Sequence, residues 1–205
     1  KYPDGQEVKS PGTVIISAVA EVADVSKCIS PAILPSSGTH LLYIDFSGTP
    51  RELGGSALAQ VLTSPGSKTP DADPHTFKRA FEAVQLLIQK ELILAGHDIS
   101  SGGLIVTMLE MCFPAPDTGA RLNVSDLGED LVRILFAENP GVIIQVADID
   151  QVNKILSGLQ VHFKKIGTVS NTATVEIHHG DNRLSFSVEE MRHLWFTTSY
   201  MLDRQ

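Results

Sequence analysis

The chain has 205 residues, 42% hydrophobic and 20% charged, with 16 basic against 24 acidic side chains and a formal net charge of −8. A chain of this length buries about 70% of the surface its unfolded form would expose, so it can build a core unaided, and its composition fits neither disorder nor a fibre. The acidic balance, without a Lys/Arg run, disfavours nucleic acid, and with no apolar run of bilayer length and no signal-peptide core the expected setting is soluble and cytoplasmic, without a membrane partner.

Lys1 to Gly12 is polar and carries Pro3, Gly5, Pro11 and Gly12, which reads as a linker or the tail of a preceding unit. The chain opens on Lys1 rather than methionine, as an excised piece of something longer would. Thr13 to Val22 is apolar and β-branched, the pattern of a buried strand, and Val25 to Ile29 makes a short helix. Leu41 to Phe46 is a second strand, followed by a turn at Ser47–Pro50 and a glycine step, Leu53 to Leu62, into a short helix. Asp73 as N-cap and Pro74 in the first turn start the strongest helical stretch, whose Phe77, Phe81, Val84, Ile88, Leu92 and Ala95 recur at steps of three and four until Gly96.

After His97 to Gly103, a helix runs from Leu104 to Cys112 and stops at Pro114. Arg121 to Val124 is a strand and Glu129 to Phe136 a helix. A turn at Ala137 to Gly141 then feeds the strand Val142 to Val146. Asp148 or Asp150 caps a helix through Leu159, striped by Val152, Ile155 and Leu156. Strands follow at Ile166–Val169, Thr174–His179 and Arg183–Phe186, the last two joined as a hairpin through Gly180–Asn182. Ser187 and Glu190 form a capping box for a last helix carrying Met191, Leu194 and Trp195. Strands and helices interleave without a strict βαβ repeat. The expected class is α+β, a layered α/β sandwich with a mixed sheet flanked by helices.

Most familiar chemistries find no support. There is no G-x-S-x-G elbow, and Ser56 in Gly54–Ala57 reads as a helix cap. His178 and His179 are adjacent on a strand, point to opposite faces and cannot chelate one ion together. Trp195, Phe196 and Tyr200 sit at spacings that suit a packed helix face better than base stacking. Cys28 and Cys112 are too far apart in sequence to suggest a framework and read as buried small hydrophobes.

One stretch stands out. His97-Asp98-Ile99-Ser100-Ser101-Gly102-Gly103-Leu104 brings a carboxylate, hydroxyls and glycine-freed backbone N–H groups together, a combination that suits a metal-bound phosphate. The alternative is a tight turn between helices, with Asp98 or Ser100 capping. A second glycine-led step, Gly54-Gly55-Ser56, also precedes a helix and is a candidate phosphate-loop support. Neither matches a Walker A loop or a dinucleotide fingerprint. Asp98 offers an oxygen suited to magnesium, but one carboxylate cannot hold the ion alone, so further ligands would come from another domain.

HDISSGGL resembles the H-D-x-S-x-G-G-L loop in C-terminal domains of the aminoimidazole ribonucleotide synthetase superfamily, and the combination of motifs is most similar to its phosphoribosylformylglycinamidine synthase family. Leu53–Val61 resembles an LG-x-[ST]-ALAQV step, Phe136–Gly141 an F-x-E-x-x-G turn, and Leu194–Tyr200 the segment before a glutaminase domain. The resemblance implies an ATP-dependent amidotransferase ligase of de novo purine biosynthesis, which converts formylglycinamide ribonucleotide, glutamine and ATP to the amidine, ADP, phosphate and glutamate. It implies a domain at 13–190 that lines a nucleotide cleft with an N-terminal synthetase domain, residues 1–12 as that domain's tail, and 191–205 leading toward a glutaminase domain.

By position in the motif, Asp98 is similar to a magnesium ligand and Ser100 to a residue contacting ATP, with Gly102 and Gly103 nucleotide-binding. ATP or ADP and Mg2+ are the implied cofactors. The resemblance names no catalytic residue within this chain. Two alternatives stay open: a structural nucleotide-binding or interface module whose site never turns over, and another superfamily member such as selenophosphate synthetase or a hydrogenase maturation protein.

Overall fold

A computed structural model describes residues 15–22, 24–64, 66 and 68–203. The linker expected at 1–12 and the start of the first expected strand lie outside these residues. Seven strands form one sheet in the order β2-β4-β1-β5-β3-β6-β7. They are β1 (His40–Asp45), β2 (Ala95–Asp98), β3 (Gly119–Asn123), β4 (Gly141–Val146), β5 (Phe163–Ser170), β6 (Thr174–His179) and β7 (Asn182–Ser187). Every neighbouring pair is antiparallel except β3 and β6, so the sheet is mixed, as expected. β1 is an interior strand: Leu42 pairs with Ile144 of β4 on one side and Lys165 of β5 on the other.

The alternation of β1 and β4 divides the core into two layers. Leu41, Tyr43 and Ile143 point to the side covered by α3 (Gly103–Cys112), α4 (Leu131–Phe136) and the start of α6 (Val188–Leu202). Leu42, Ile44, Ile144 and Val146 point to the side covered by α2 (Pro74–Gln89) and α5 (Ile149–Gly158). A short helix, α1 (Ala57–Val61), follows the glycine step. The expected caps form: Asp73 accepts from Thr76 N–H, Asp148 from Gln151 N–H, and Ser187 from Glu190 N–H. The β6–β7 hairpin pairs His179 with Asn182.

Four expectations need correction. Ile15 to Val22 forms no strand, and Ile15, Ile16 and Val19 are at least 85% exposed. β-branched residues favour an extended backbone, but a strand needs a neighbour's hydrogen bonds, and the described sheet supplies none to this segment. The long helix stops at Gln89 rather than Gly96: Glu91 takes a left-handed φ of 56°, and Ala95–Asp98 pairs with β4 as an edge strand. The stripe that α2 buries is Thr76, Ala80, Ala83 and Leu87, one position from the bulky residues, because small side chains let the helix lie close to the sheet. Phe77 is left 40% exposed, edge-on to Phe46.

The third correction concerns α6. Val188 is buried and Met191 packs on the core, but Leu194, Trp195 and Tyr200 are more than half exposed, because the helix leaves the sheet after its first turns. The fourth is Cys28, which is exposed in the segment before β1, whereas Cys112 is buried in α3. Burial pushes the Cys112 thiol up to about 12.

Candidate functional site

The stretch His97–Leu104 is a strand, a turn and a helix start, not a link between two helices. His97 and Asp98 end β2, and α3 begins at Gly103. Neither Asp98 nor Ser100 caps α3. Gly102 occupies the cap position with φ 91° and no side chain caps it. Gly103 also has a left-handed φ, 73°, and a Cβ there would stand 2.6 Å from the carbonyl oxygen of Leu135. Here glycine is required twice over, by conformation and by the closeness of α4.

The loop is tied down on several sides. Ile99 N–H donates to Gly141 O at 2.8 Å, Gly103 N–H to Ser100 O at 3.0 Å, and Thr107 Oγ1 to Asp98 O at 3.2 Å. Ser100 and Ser101 remain exposed on the outside of the turn. Asp98 has a side chain 73% exposed, 3.3 Å from His97 Nδ1. His97 Nε2 in turn lies 3.6 Å from Glu110 Oε2 on α3, and Glu110 Oε1 accepts the Trp195 indole N–H at 3.1 Å. The end of β2 is thus connected through Glu110 to α6.

The second glycine-led step lies beside the first. Gly54 is buried against the backbone of Lys68 and donates its N–H to Lys68 O at 2.7 Å. Gly55 is exposed with φ 76°. Ser56 is 1% exposed; its hydroxyl donates to Leu53 O and accepts from Ala59 N–H, so it serves α1 as a cap.

Both turns converge on Glu138, the glutamate of the F-x-E-x-x-G turn, to which the motif by itself assigned no role. Glu138 Oε1 accepts the N–H of Ala57 at 2.8 Å and the N–H of Gly102 at 2.8 Å. Next to it Asn139, 2% exposed, accepts from Glu52 N–H and donates to Thr49 Oγ1 and Pro50 O. Arg133 of α4 reaches the same loop, bonding Arg51 O at 2.9 Å and Glu52 Oε2 at 3.0 Å. The Ala137–Gly141 turn therefore holds both glycine-led loops in place. A buried side-chain polar group needs partners, and the F-x-E-x-x-G resemblance at Phe136–Gly141 was the signal in sequence, although it named no partner for Glu138 or Asn139.

Among the described residues no group of three His, Cys, Asp or Glu side chains is placed to hold a metal ion. Asp98 alone fits a magnesium ion that takes its remaining ligands from phosphate and water, not an ion caged by this chain. His178 and His179 do point apart: His179 Nε2 lies 2.8 Å from Gly128 O, and His178 lines a shallow cavity of about 390 Å³ with Arg121 and Lys165. No helix among the described residues is long and apolar enough to cross a membrane.

Residues 43–180 match the family model described as AIR synthase related protein, C-terminal domain. The chain belongs to this family. The match runs from within β1 to the β6–β7 turn and so contains both glycine-led loops and the Glu138 turn. A probable phosphoribosylformylglycinamidine synthase of Arabidopsis thaliana, named chloroplastic/mitochondrial, is 37% identical over 99% of this chain. The phosphoribosylformylglycinamidine synthase of Homo sapiens is 36% identical over 97%. The chain spans about 15% of the length of these relatives. Among solved structures, Thermotoga maritima PurL complexed with ATP shares the fold, with a TM-score of 0.64 at 12% identity over 82% of this chain and 28% of that one. The same protein complexed with FGAR gives 0.65, also over 82% of this chain and over 30% of that one. The family's sheet-and-helix fold is the α+β class that the sequence pattern predicts.

Proposed function

We propose that this chain is the part of a phosphoribosylformylglycinamidine synthase that forms one wall of a Mg–nucleotide cleft, in an enzyme converting formylglycinamide ribonucleotide, glutamine and ATP to the amidine product. The observation that carries the reading is the similarity to two named synthases across 97% and 99% of the chain. The geometry supports it: Asp98 and Ser100 stand exposed at the rim of a turn whose backbone is already tied down. In this reading Ser100 contacts the nucleotide, and Gly102 and Gly103, whose N–H groups are held within the fold, shape the turn that presents it. The Gly54–Ser56 step supports the turn from the side. Asp98 would hold magnesium, which neutralises phosphate charge when bound.

The remaining ligands and the partner wall belong to other parts of the parent protein, an N-terminal synthetase domain and a glutaminase domain. Residues 13–190 form the synthetase-type domain, 1–12 the tail of its predecessor and 191–205 the way out. The cytoplasm belongs to the same proposal.

Asp98→Ala in the full-length parent protein tests this reading. A folded enzyme that loses amidine formation supports a catalytic cleft. Retained turnover per folded molecule with a lowered melting temperature supports the second reading, a structural nucleotide module, favoured by the full occupation of the Gly102 and Gly103 N–H groups within the fold. Unchanged turnover, stability and nucleotide content would refute both.

A further inference from the structure

We propose that Glu138 is a positioning residue that sets the spacing between the two glycine-led turns and, through it, the affinity of the cleft for nucleotide. The second half of this statement rests on the nucleotide reading above. One carboxylate oxygen, Oε1, accepts N–H groups from two segments far apart in sequence, Ala57 in the first turn of α1 and Gly102 at the start of α3. An acceptor shared at 2.8 Å on each side leaves little freedom: moving either turn by an ångström breaks a charge-assisted bond.

The same bonds decide where an external anion can go. With Glu138 on the N–H groups of Ala57 and Gly102, and Ser100 O on that of Gly103, a phosphate cannot take these donors. It is directed to the outer surface of the turn, where Ser100, Ser101 and Asp98 are exposed. Glu138 thus acts as an internal anion that shapes the turn without touching the ligand. The turn carrying it is held independently: Asn139 makes three side-chain bonds to residues 49–52, and Gly141 O accepts from Ile99. Changing the Glu138 side chain therefore leaves the backbone that presents it in place.

The test uses the full-length parent protein with Glu138→Gln, Glu138→Asp and Glu138→Ala. Gln keeps an oxygen acceptor at the same reach, Asp is one methylene too short to serve both donors, and Ala has no acceptor. Equilibrium binding of ADP should weaken at least about tenfold for the Asp and Ala variants and stay within about threefold for Gln, since the loss of a hydrogen bond to a charged acceptor carries a loss of about that order. Hydrogen-exchange mass spectrometry should show faster exchange in peptides covering 53–60 and 98–104 for Asp and Ala, with peptides from β6 and β7 unchanged.

A general loss of stability would speed exchange across the sheet and would not be rescued by Gln, and that pattern overturns the proposal. So does an Ala variant with wild-type ADP affinity, or one with unchanged exchange at both peptides. Should the wild-type protein hold no ADP, the nucleotide reading falls. The exchange comparison then still decides whether Glu138 spaces the turns.

Discussion

Replacing Gly103 with alanine loads two separate costs onto one methyl group. The residue sits at φ 73°, a left-handed conformation that costs a non-glycine residue about 1–2 kcal/mol. The new Cβ would also stand 2.6 Å from Leu135 O and 2.8 Å from two backbone atoms of Phe136. Backbone cannot swing away as a side-chain end can, so α3 and the end of α4 must separate, disturbing a core where Leu104, Leu135 and Met108 are at most 3% exposed. A further 1–2 kcal/mol for this overpacking brings the total to about 2–4 kcal/mol. With a urea m-value of about 2 kcal/mol/M, the unfolding midpoint of the 205-residue chain should fall by roughly 1–2 M, followed by circular dichroism. Gly158→Ala is the matched control: it ends α5 and a Cβ there meets nothing within 4 Å, so the midpoint should hold or rise slightly. A shift below about 0.5 M for Gly103→Ala at an unchanged m-value would refute the claim that α4 backbone makes glycine obligatory.

Gln145 is fully buried in β4 and bonds Leu34 N–H, Leu34 O and Thr39 Oγ1 at 2.8–2.9 Å, so Gln145→Leu strands a backbone donor and acceptor. It should cost about 2–4 kcal/mol by urea unfolding, and a cost below about 1 kcal/mol would mean that the segment before β1 re-forms its bonds elsewhere. Stability should also fall in alkali. Burial holds the Cys112 thiol and the Tyr43 phenol protonated up to about 12, against ordinary values of 9.0 and 10.0. The unfolded chain therefore releases these protons first; the contribution is complete below about pH 9 and disappears as pH rises toward 12. Urea midpoints at pH 8 and 10.5 should show the loss, reduced in Cys112→Ala, and an identical slope in that variant would remove Cys112 as its source.

Local rules carried much of the fold. Asp73, Asp148 and Ser187 cap the helices they precede because capping depends only on a side chain and the next turn's N–H groups. The β-branched runs at 142–146 and 174–179 are strands for a similarly local reason. Local pattern failed where a partner decided the outcome. Leu92 and Ala95 fit a helical stripe, yet β4 offers Ala95–Asp98 a ladder that an isolated helix end cannot match. Ile15–Val22 has a strand's composition and no described neighbour, so it stays irregular and exposed.

The candidate site divides along the same line. That His97–Leu104 and Gly54–Ser56 are glycine-led turns before helices follows from sequence, since glycine's freedom at positive φ is a property of the residue itself. Which groups remain open to a ligand is a tertiary matter. Ser56 turns inward to cap α1, Gly102 spends its N–H on Glu138, and Asp98 is left at the rim with His97 beside it. Residues 57, 102 and 138 meet only because β2 and β4 pair and α4 returns the chain to the head of α3. Hydrogen bonds between such distant residues leave no periodic trace in a chain, so sequence alone identified the two turns, and the fold alone brought them onto a single carboxylate oxygen.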